Sequence, residues 1–435
     1  MFFLLFSFSS VNSAKDTLED FLQCLHYQNF NSISSFINTP NNSSYSSLLR
    51  NYTENRRLRA TKTIEPLAII KPKKAFHIQT TIICSKKHGM QIRIRSGGHD
   101  YEGLSYVVLH GIAEKSSTLG FPAGVGLTVG VGGHFSGGGE GMMMRKASMG
   151  EDLFWAIQGG GGNTFGVAAA WKINLVDVPA LVTVFNVSRT LEQNATNLVH
   201  QWQYLFFLKA VSSSQEGNKT IQAAFTSLYL DRVDRLLPIV QEHFPELGLT
   251  KKDSVEMSWI NSTLYFAGIP NGASLDVLLK RDPQVRTFFK GKSDYVQEPI
   301  PKKALEKIWK RLYEMDAKMA ELQFTILGGK VNEISEFSIP FPHRAGNLFQ
   351  IHYALLWHEE SIKEIDRHMN WIREDLDRGS NNIHGNSTYQ EACVWGFRYF
   401  KVNNFDRLIQ VKATVDPDNF FRNEQSIPYL DHYAG

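Results

Sequence analysis

An α/β half followed by an α+β half is the fold class the sequence predicts, and three observations carry it. Strand, helix and turn signals alternate tightly up to about residue 178, then give way after Pro179 to longer helices and alternating strands. A length of 435 residues exceeds what a single compact core holds. No internal repeat, low-complexity tract or long polar linker parts the two halves, so they pack directly on each other.

Taken in order, Met1–Ser10 reads MFFLLFSFSS, too short to span a bilayer but fit for the core of a leader, with small residues around Val11–Ala14. Residues 1–14 therefore read as a signal peptide and the protein as secreted, to the extracellular space or cell wall, with the vacuole as the alternative destination. The usual basic start is missing, which leaves open an apolar N-terminus that is never cleaved or a shortened reading frame. From Leu67, LAIIKP reads as a strand, Ala75–Lys87 as a helix and Gln91–Arg95 as a strand, a βαβ unit with parallel strands. The loop Ser96-Gly97-Gly98-His99 then lies at the carboxyl end of a strand, where open α/β sheets bind ligands. Ser148-Met149-Gly150-Glu151 has the capping-box form and starts a helix through Ile157, and Gly159–Gly162 turns into a strand over Val167–Val176. Further on, helices are predicted over Asn194–Lys209, Arg232–His243, Pro301–Met315 and Ser361–Asp375. Strands are predicted over Thr220–Leu230, Leu322–Leu327 and Phe349–Trp357, in an antiparallel sheet with helices on one face.

Composition narrows the function classes. The net charge of +3 is spread along the chain without a block of like charges, so neither nucleic acid nor an acidic membrane surface is an expected partner. Three cysteines, Cys24, Cys84 and Cys393, show no CxxC or zinc-like spacing, so no structural metal is expected; one disulfide and one free thiol is the simplest count. Eight Asn-x-Ser/Thr acceptors, at Asn41, Asn42, Asn51, Asn186, Asn194, Asn218, Asn261 and Asn386, fit a secreted chain.

Sixteen of the 33 glycines fall between Gly120 and Gly166. Neither a phosphate-loop motif nor a nicotinamide fingerprint is present. Backbone amides at Gly97, Gly98, Gly130, Gly132 and Gly133 would suit a pyrophosphate, since residues without Cβ let N–H groups reach anionic oxygens; the same glycines would serve equally in tight turns. His99 and His134 each follow a Gly-Gly pair, as cleft residues or as ordinary surface histidines.

RSGGHDYEG from Arg95, FPAGVGLTVGVGGHFSGGG from Phe121, SMGEDLFWAIQGGGGNTFGV from Ser148 and VDPDNFFRNEQSIP from Val415 closely resemble the plant berberine bridge enzyme-like flavoproteins. The resemblance runs from about Lys15 to Leu430. It implies a two-part FAD-binding domain of vanillyl-alcohol-oxidase (PCMH) type, residues 15–178 completed by 386–435, around a substrate domain at 179–385. It implies that Arg95, Ser96, Gly97, Gly98 and His99 hold FAD, with His99 tied covalently to the flavin, and that Gly160, Phe165 and Gly166 belong to the same cofactor site. It also implies a Cys24–Cys84 disulfide, and at Val129 a small gate residue that goes with molecular oxygen as acceptor.

Several positions depart from that pattern. The second flavin tether, a cysteine, is Gly126 here, which leaves His99 as the only covalent anchor. An active-site tyrosine is replaced by Glu140, and a Gln or Glu ahead of a strand tyrosine is His352, before Tyr353. Arg373 and Glu374 stand where a later tyrosine is expected, and segments look missing after Val107, after Lys146 and before Asp375. Oxidation of an alcohol needs a base for the hydroxyl proton, and His352 is the candidate, although a strand histidine also faces core or solvent in many folds. Tyr101 is retained as a hydrogen-bond donor, and Glu140 would add negative charge beside the flavin. The sequence therefore reads as a monomeric FAD-dependent oxidoreductase acting on a small-molecule alcohol (carbohydrate, monolignol or alkaloid). The rival reading is a non-catalytic flavin- or carbohydrate-binding remnant of the family.

Overall fold

A computed structural model of the chain describes residues 3–7, 14–28, 36–51, 55–57, 65–95, 149–168, 177–203, 207–215, 218–279, 287–314, 320–358, 361–376, 389–423 and 425–429. In the first half, Phe3–Ser7 (β1), Ile37–Asn38 (β2), Ala68–Ile70 (β3) and Gln91–Arg95 (β4) form a sheet of order β2-β3-β1-β4. Helices Ala14–Tyr27 (α1), Tyr45–Asn51 (α2) and Ala75–Lys87 (α3) accompany it. The expected strand–helix–strand unit runs from β3 through α3 to β4. Its two strands are parallel but do not pair: β1 lies between them, antiparallel to both, with Leu5 opposite Ile69 on one side and Arg93 on the other. An apolar leader-like run is also a good strand sequence, which is why the periodicity of residues 67–95 alone predicts the wrong neighbours. Phe21, Leu25, Ile37, Ile70, Ile92 and Ile94 fill the core below, and a disulfide joins Cys24 on α1 to Cys84 on α3.

The helix expected from a capping box at Ser148 starts later, as Glu151–Ala156 (α4). Gly150 precedes it with φ 95, a left-handed backbone that sets the entry without a side-chain cap. A short turn of helix, Gly162–Phe165 (α5), follows. Of the strand expected over 167–176, residues 169–176 lie outside the described residues.

The second half is a seven-stranded antiparallel sheet, made of Val182–Thr190 (β5), Phe207–Gln215 (β6), Asn218–Tyr229 (β7), Ser254–Met257 (β8), Phe288–Val296 (β9), Ala320–Ile326 (β10) and Phe349–Trp357 (β11). Its order is β8-β5-β7-β6-β10-β11-β9. With it go helices Ala195–Trp202 (α6), Val233–His243 (α7), Trp259–Phe266 (α8), Lys302–Leu312 (α9) and Ile362–Leu376 (α10), and the C-terminal helix Tyr389–Val415 (α11) returns to the first half. The helix expected over 194–209 stops at Trp202, because Phe207 onward pairs on both sides in mid-sheet, with β7 and β10; sheet pairing overrides the local helical pattern. One face of the sheet, with Phe185, Phe225, Phe324, Phe349, Ile351 and Leu355, buries itself under α6, α7, α9 and α10. At the far end of the other face, Val182, Val184 and Met257 are covered from α8 by Trp259 and Tyr265.

Contacts among the described residues join the halves. Asn55, 1% exposed, pairs through its side-chain amide with the backbone of Phe289 on the edge strand β9. The C-terminal helix α11 breaks at Lys401 (φ 59, ψ 163) and packs its second part, through Phe405, Leu408 and Ile409, on Trp155, Ala156 and Phe165. Lys412 then bonds the carbonyls of Thr164 and Phe421 and the carboxylate of Asp416. Among the described residues no helix is long and apolar enough to cross a membrane, and no cluster of three potential metal ligands occurs.

Candidate active site

Strand alternation decides which side chains of β11 are available for chemistry. Phe349, Ile351, Leu355 and Trp357 enter the helix-covered core and Tyr353 packs against it, so Gln350 and His352 lie on the opposite face. His352 is thus a half-buried residue outside the helix-covered core. Burial, and secondarily the charge of Asp294, pushes the phenol of Tyr353 up to about 12 and keeps it neutral.

Register assembles the neighbours of His352. Ser293 on β9 and Gln323 on β10 stand directly opposite it, and Tyr295 and Thr325 stand opposite Gln350. Glu321 shares this face two residues from Gln323, and Lys209 holds the register position across from Gln323 on β6. Gln350 Nε2 donates to the Tyr295 hydroxyl at 3.4 Å. The Tyr295 ring is stacked on His343, centroids 4.1 Å apart and planes 12° apart. His343 Nε2–H donates to the Tyr399 carbonyl at 2.9 Å, and burial holds the imidazole below its ordinary pKa. The result is a patch of amides, hydroxyls, a carboxylate and an imidazole, which is equipped to bind a hydroxylated molecule and to accept a proton from it.

The loop leading into β11 is fixed from the other half of the molecule. Trp155 Nε1 on α4 donates to the Phe337 carbonyl at 3.0 Å. Asn404 Nδ2 on α11 donates to the carbonyls of Glu336 and Pro340, and Lys401 pairs with Glu336.

Of the residues assigned to FAD by sequence, Arg95, Gly160, Phe165 and Gly166 are described. Ser96, Gly97, Gly98, His99, Tyr101, Gly126, Val129, Gly130, Gly132, Gly133, His134 and Glu140 lie outside the described residues. Arg95 ends β4 fully buried, and its Nη2 donates to the Leu48 carbonyl at 3.2 Å. Phe165 is 5% exposed within the α4–α11 core. A Cβ on Gly160 would stand 2.4 Å from Leu408 Cδ2 and 2.6 Å from the Ala156 carbonyl oxygen, so close helix packing accounts for this glycine. Gly166, at φ 148, differs: a Cβ there would meet nothing within 4 Å, leaving backbone beside open space. A permanent cation at a strand end and an open glycine backbone are compatible with an anionic dinucleotide, so the described residues fit FAD.

Sequence reading missed Tyr295, His343, Gln323 and Gln350. The signal for the last two was present, since period-two alternation places Gln350 with His352, and Gln323 sits in a strand the sequence does predict.

Comparison with known proteins places the chain among relatives. Residues 368–428 match the family model described as berberine and berberine like. Tetrahydroberberine oxidase of Argemone mexicana is 41% identical, with 98% of this chain and 94% of that one aligned. That alignment runs over 522 positions against 435 residues here, so at least 87 positions have no counterpart in this chain (522 minus 435). Among solved structures, the berberine bridge enzyme-like protein 28 of Arabidopsis thaliana superposes with TM-score 0.83 at 37% identity, covering 95% of this chain and 100% of that one. Phl p 4, a grass pollen allergen with glucose dehydrogenase activity, gives TM-score 0.81 at 31% identity, covering 94% and 100%.

Proposed function

The chain belongs to the berberine bridge enzyme-like family of FAD-linked oxidases, and on that premise we propose that it oxidises an alcohol-type small molecule, a carbohydrate, monolignol or alkaloid, with molecular oxygen as acceptor. The observation that carries the reading is the position of His352 on the polar face of the sheet, with Gln323, Gln350 and Tyr295 around it. His352 takes the proton of the substrate hydroxyl, a role suited to an imidazole that titrates near neutrality. Gln350 and Tyr295 orient the hydroxylated substrate against it. Bound FAD would supply the hydride-accepting and oxygen-reactive chemistry.

Arg95 to His99, with Gly130, Gly132, Gly133 and His134, hold the cofactor in this reading, and His99 is its single covalent anchor because Gly126 offers no thiol. Tyr101 donates a hydrogen bond to the reacting centre, and Glu140 makes its surroundings more negative. We further propose a monomer, and an oxidising, secretory setting that the Cys24–Cys84 bridge and the exposed acceptors Asn41, Asn42, Asn186 and Asn194 support.

The test is a visible spectrum of the purified protein followed by anaerobic bleaching with alcohols of each class and reoxidation by air. The expected result is bleaching by at least one class and a flavin-bearing peptide containing His99. Protein that holds flavin but is bleached by none of them is the non-catalytic remnant instead.

A further inference from the structure

The acceptor asparagines singled out in the sequence are not equivalent in the fold. Asn41, Asn42 and Asn194 lie exposed in turns and bends. Asn261 is half-buried in the first turn of α8, and Thr263, whose hydroxyl completes its acceptor sequence, is 0% exposed and donates to the Ile260 carbonyl at 2.7 Å. Asn186 stands apart because it lies inside a strand and is exposed there. Alternation puts Val182, Val184 and Asn186 on one face of β5, while Phe185 and Val187 enter the helix-covered core. Trp259 and Tyr265 from α8 cover Val182 and Val184, and of the nine residues of β5 Asn186 alone is exposed. The neighbouring strand β8 also stops short, its last pair with β5 being Ser254 opposite Phe185. On the inner side Thr226 of β7 stands opposite Asn186, and its Oγ1 donates to Asn186 Oδ1 at 3.0 Å. The carbonyl end of the amide is thus turned to β7, and the NH2 end, Nδ2, takes no partner among the described residues. Ser188, the hydroxyl residue of the same acceptor sequence, follows on the same face.

We propose that Asn186 is an N-glycosylation site and that its glycan stands on the face of the sheet that presents His352. The inference rests on the secretory setting proposed above. By register, the row from His352 passes through positions 323, 209 and 224 to Ser188, four strand spacings or about 19 Å away, so Asn186 and His352 share one side of the sheet. In the transfer, Asn186 Nδ2 attacks C1 of the first N-acetylglucosamine of an oligosaccharide carried on a lipid pyrophosphate. A C1–N bond forms, the C1–O bond to the pyrophosphate breaks, the lipid pyrophosphate leaves, and the nitrogen gives up one proton. Oδ1 takes no part, so the bond from Thr226 survives the modification. Transfer precedes folding, and the part of the fold is to accommodate the product. A sugar at Asn186 extends an exposed side chain, whereas one at Asn261 extends a half-buried side chain beside Ser262 and Thr263, both 0% exposed.

The test is glycopeptide mapping of the full chain expressed in a eukaryotic secretory host, with enzymatic release in heavy-oxygen water to mark every occupied asparagine. Two variants accompany it, Asn186→Gln and Ser188→Ala; the second destroys the acceptor sequence and keeps the asparagine. The expected result is sugar at Asn186, a bare Asn261, and the loss of one glycan from the mass of each variant. Sugar at any other acceptor with Asn186 bare would overturn the inference and leave the secretory setting standing. A chain bare at every acceptor would overturn both. Occupancy of Asn261 equal to that of Asn186 would overturn the argument from accommodation by the fold.

Discussion

Beside its apolar packing, the C-terminal segment is fastened to the first half by Lys412, which sits in a buried ion pair with Asp416 and bonds the Thr164 carbonyl, and Lys412→Met is the sharpest probe of that lock. Lys412 and Asp416 are 0% and 1% exposed. The three N–H donors of the ammonium are all used, on the Thr164 carbonyl at 2.6 Å, Asp416 Oδ2 at 2.7 Å and the Phe421 carbonyl at 2.6 Å. Asp416 in turn accepts the backbone N–H groups of Phe420 at 3.0 Å and Phe421 at 2.8 Å. Burial pulls the Lys412 pKa below its ordinary value against the opposing pull of Asp416, so the pair is not a strong net stabiliser compared with an apolar replacement. Removing only one member is a different matter, because it leaves an uncompensated buried carboxylate and two carbonyls without their donor. Methionine keeps the length of the side chain, so little cavity forms and the loss is electrostatic. We expect about 3–5 kcal/mol of destabilisation, a large part of the ~5–15 kcal/mol that holds a typical fold. Lys412→Met/Asp416→Asn is expected to recover about 1 kcal/mol or more, short of full recovery because one amide oxygen replaces two carboxylate oxygens as acceptors. Urea denaturation followed by circular dichroism measures both. A single-variant loss below about 1 kcal/mol would refute the buried-charge argument.

Three further outcomes follow from the geometry. Gly160→Ala is expected to lose about 1–3 kcal/mol in flavin-free and flavin-loaded protein alike, because its methyl group meets the Ala156 carbonyl and Leu408; a loss confined to the loaded protein would instead mark Gly160 as a cofactor contact. The His343 imidazole is held below its ordinary value of 6.5 by burial, so the unfolded chain binds more protons there and stability falls as pH drops below 6.5; His343→Gln should flatten that fall, and an unchanged slope in thermal melts across this range would contradict it. Thiol titration of denatured, unreduced protein should find one group, Cys393; three would mean that Cys24 and Cys84 are not bridged.

What could be read in the sequence depended on how far each signal was local. The unit β3–α3–β4 and the strand β11 are legible because their periodicity agrees with their burial. The edge strand β9 is not, since Lys290, Lys292 and Asp294 occupy its core-side positions, as charges on an edge strand commonly do, and hide the alternation. The start of β6 looks helical because its strand character comes from two distant partners, β7 and β10. The placement of β1 between β3 and β4 is likewise a long-range fact that no local pattern encodes. In the site, His352 is reached through resemblance, whereas Tyr295 and His343 meet only after a 48-residue separation is closed by folding (343 minus 295). Lys412 and Asp416, four apart on a helix end, read as an ordinary surface pair until the Phe421 turn and Thr164 close over them.

Proton removal by His352 is the step on which alcohol oxidation by this flavoprotein depends in the proposed function. Its most direct test is the rate of anaerobic flavin bleaching by a reactive alcohol, measured across pH in wild-type protein and in His352→Ala. The predicted result is a wild-type rate that rises through a histidine-like titration and a variant slower by ~10²- to 10⁴-fold without that dependence. Equal rates and equal pH profiles in the two proteins would contradict it.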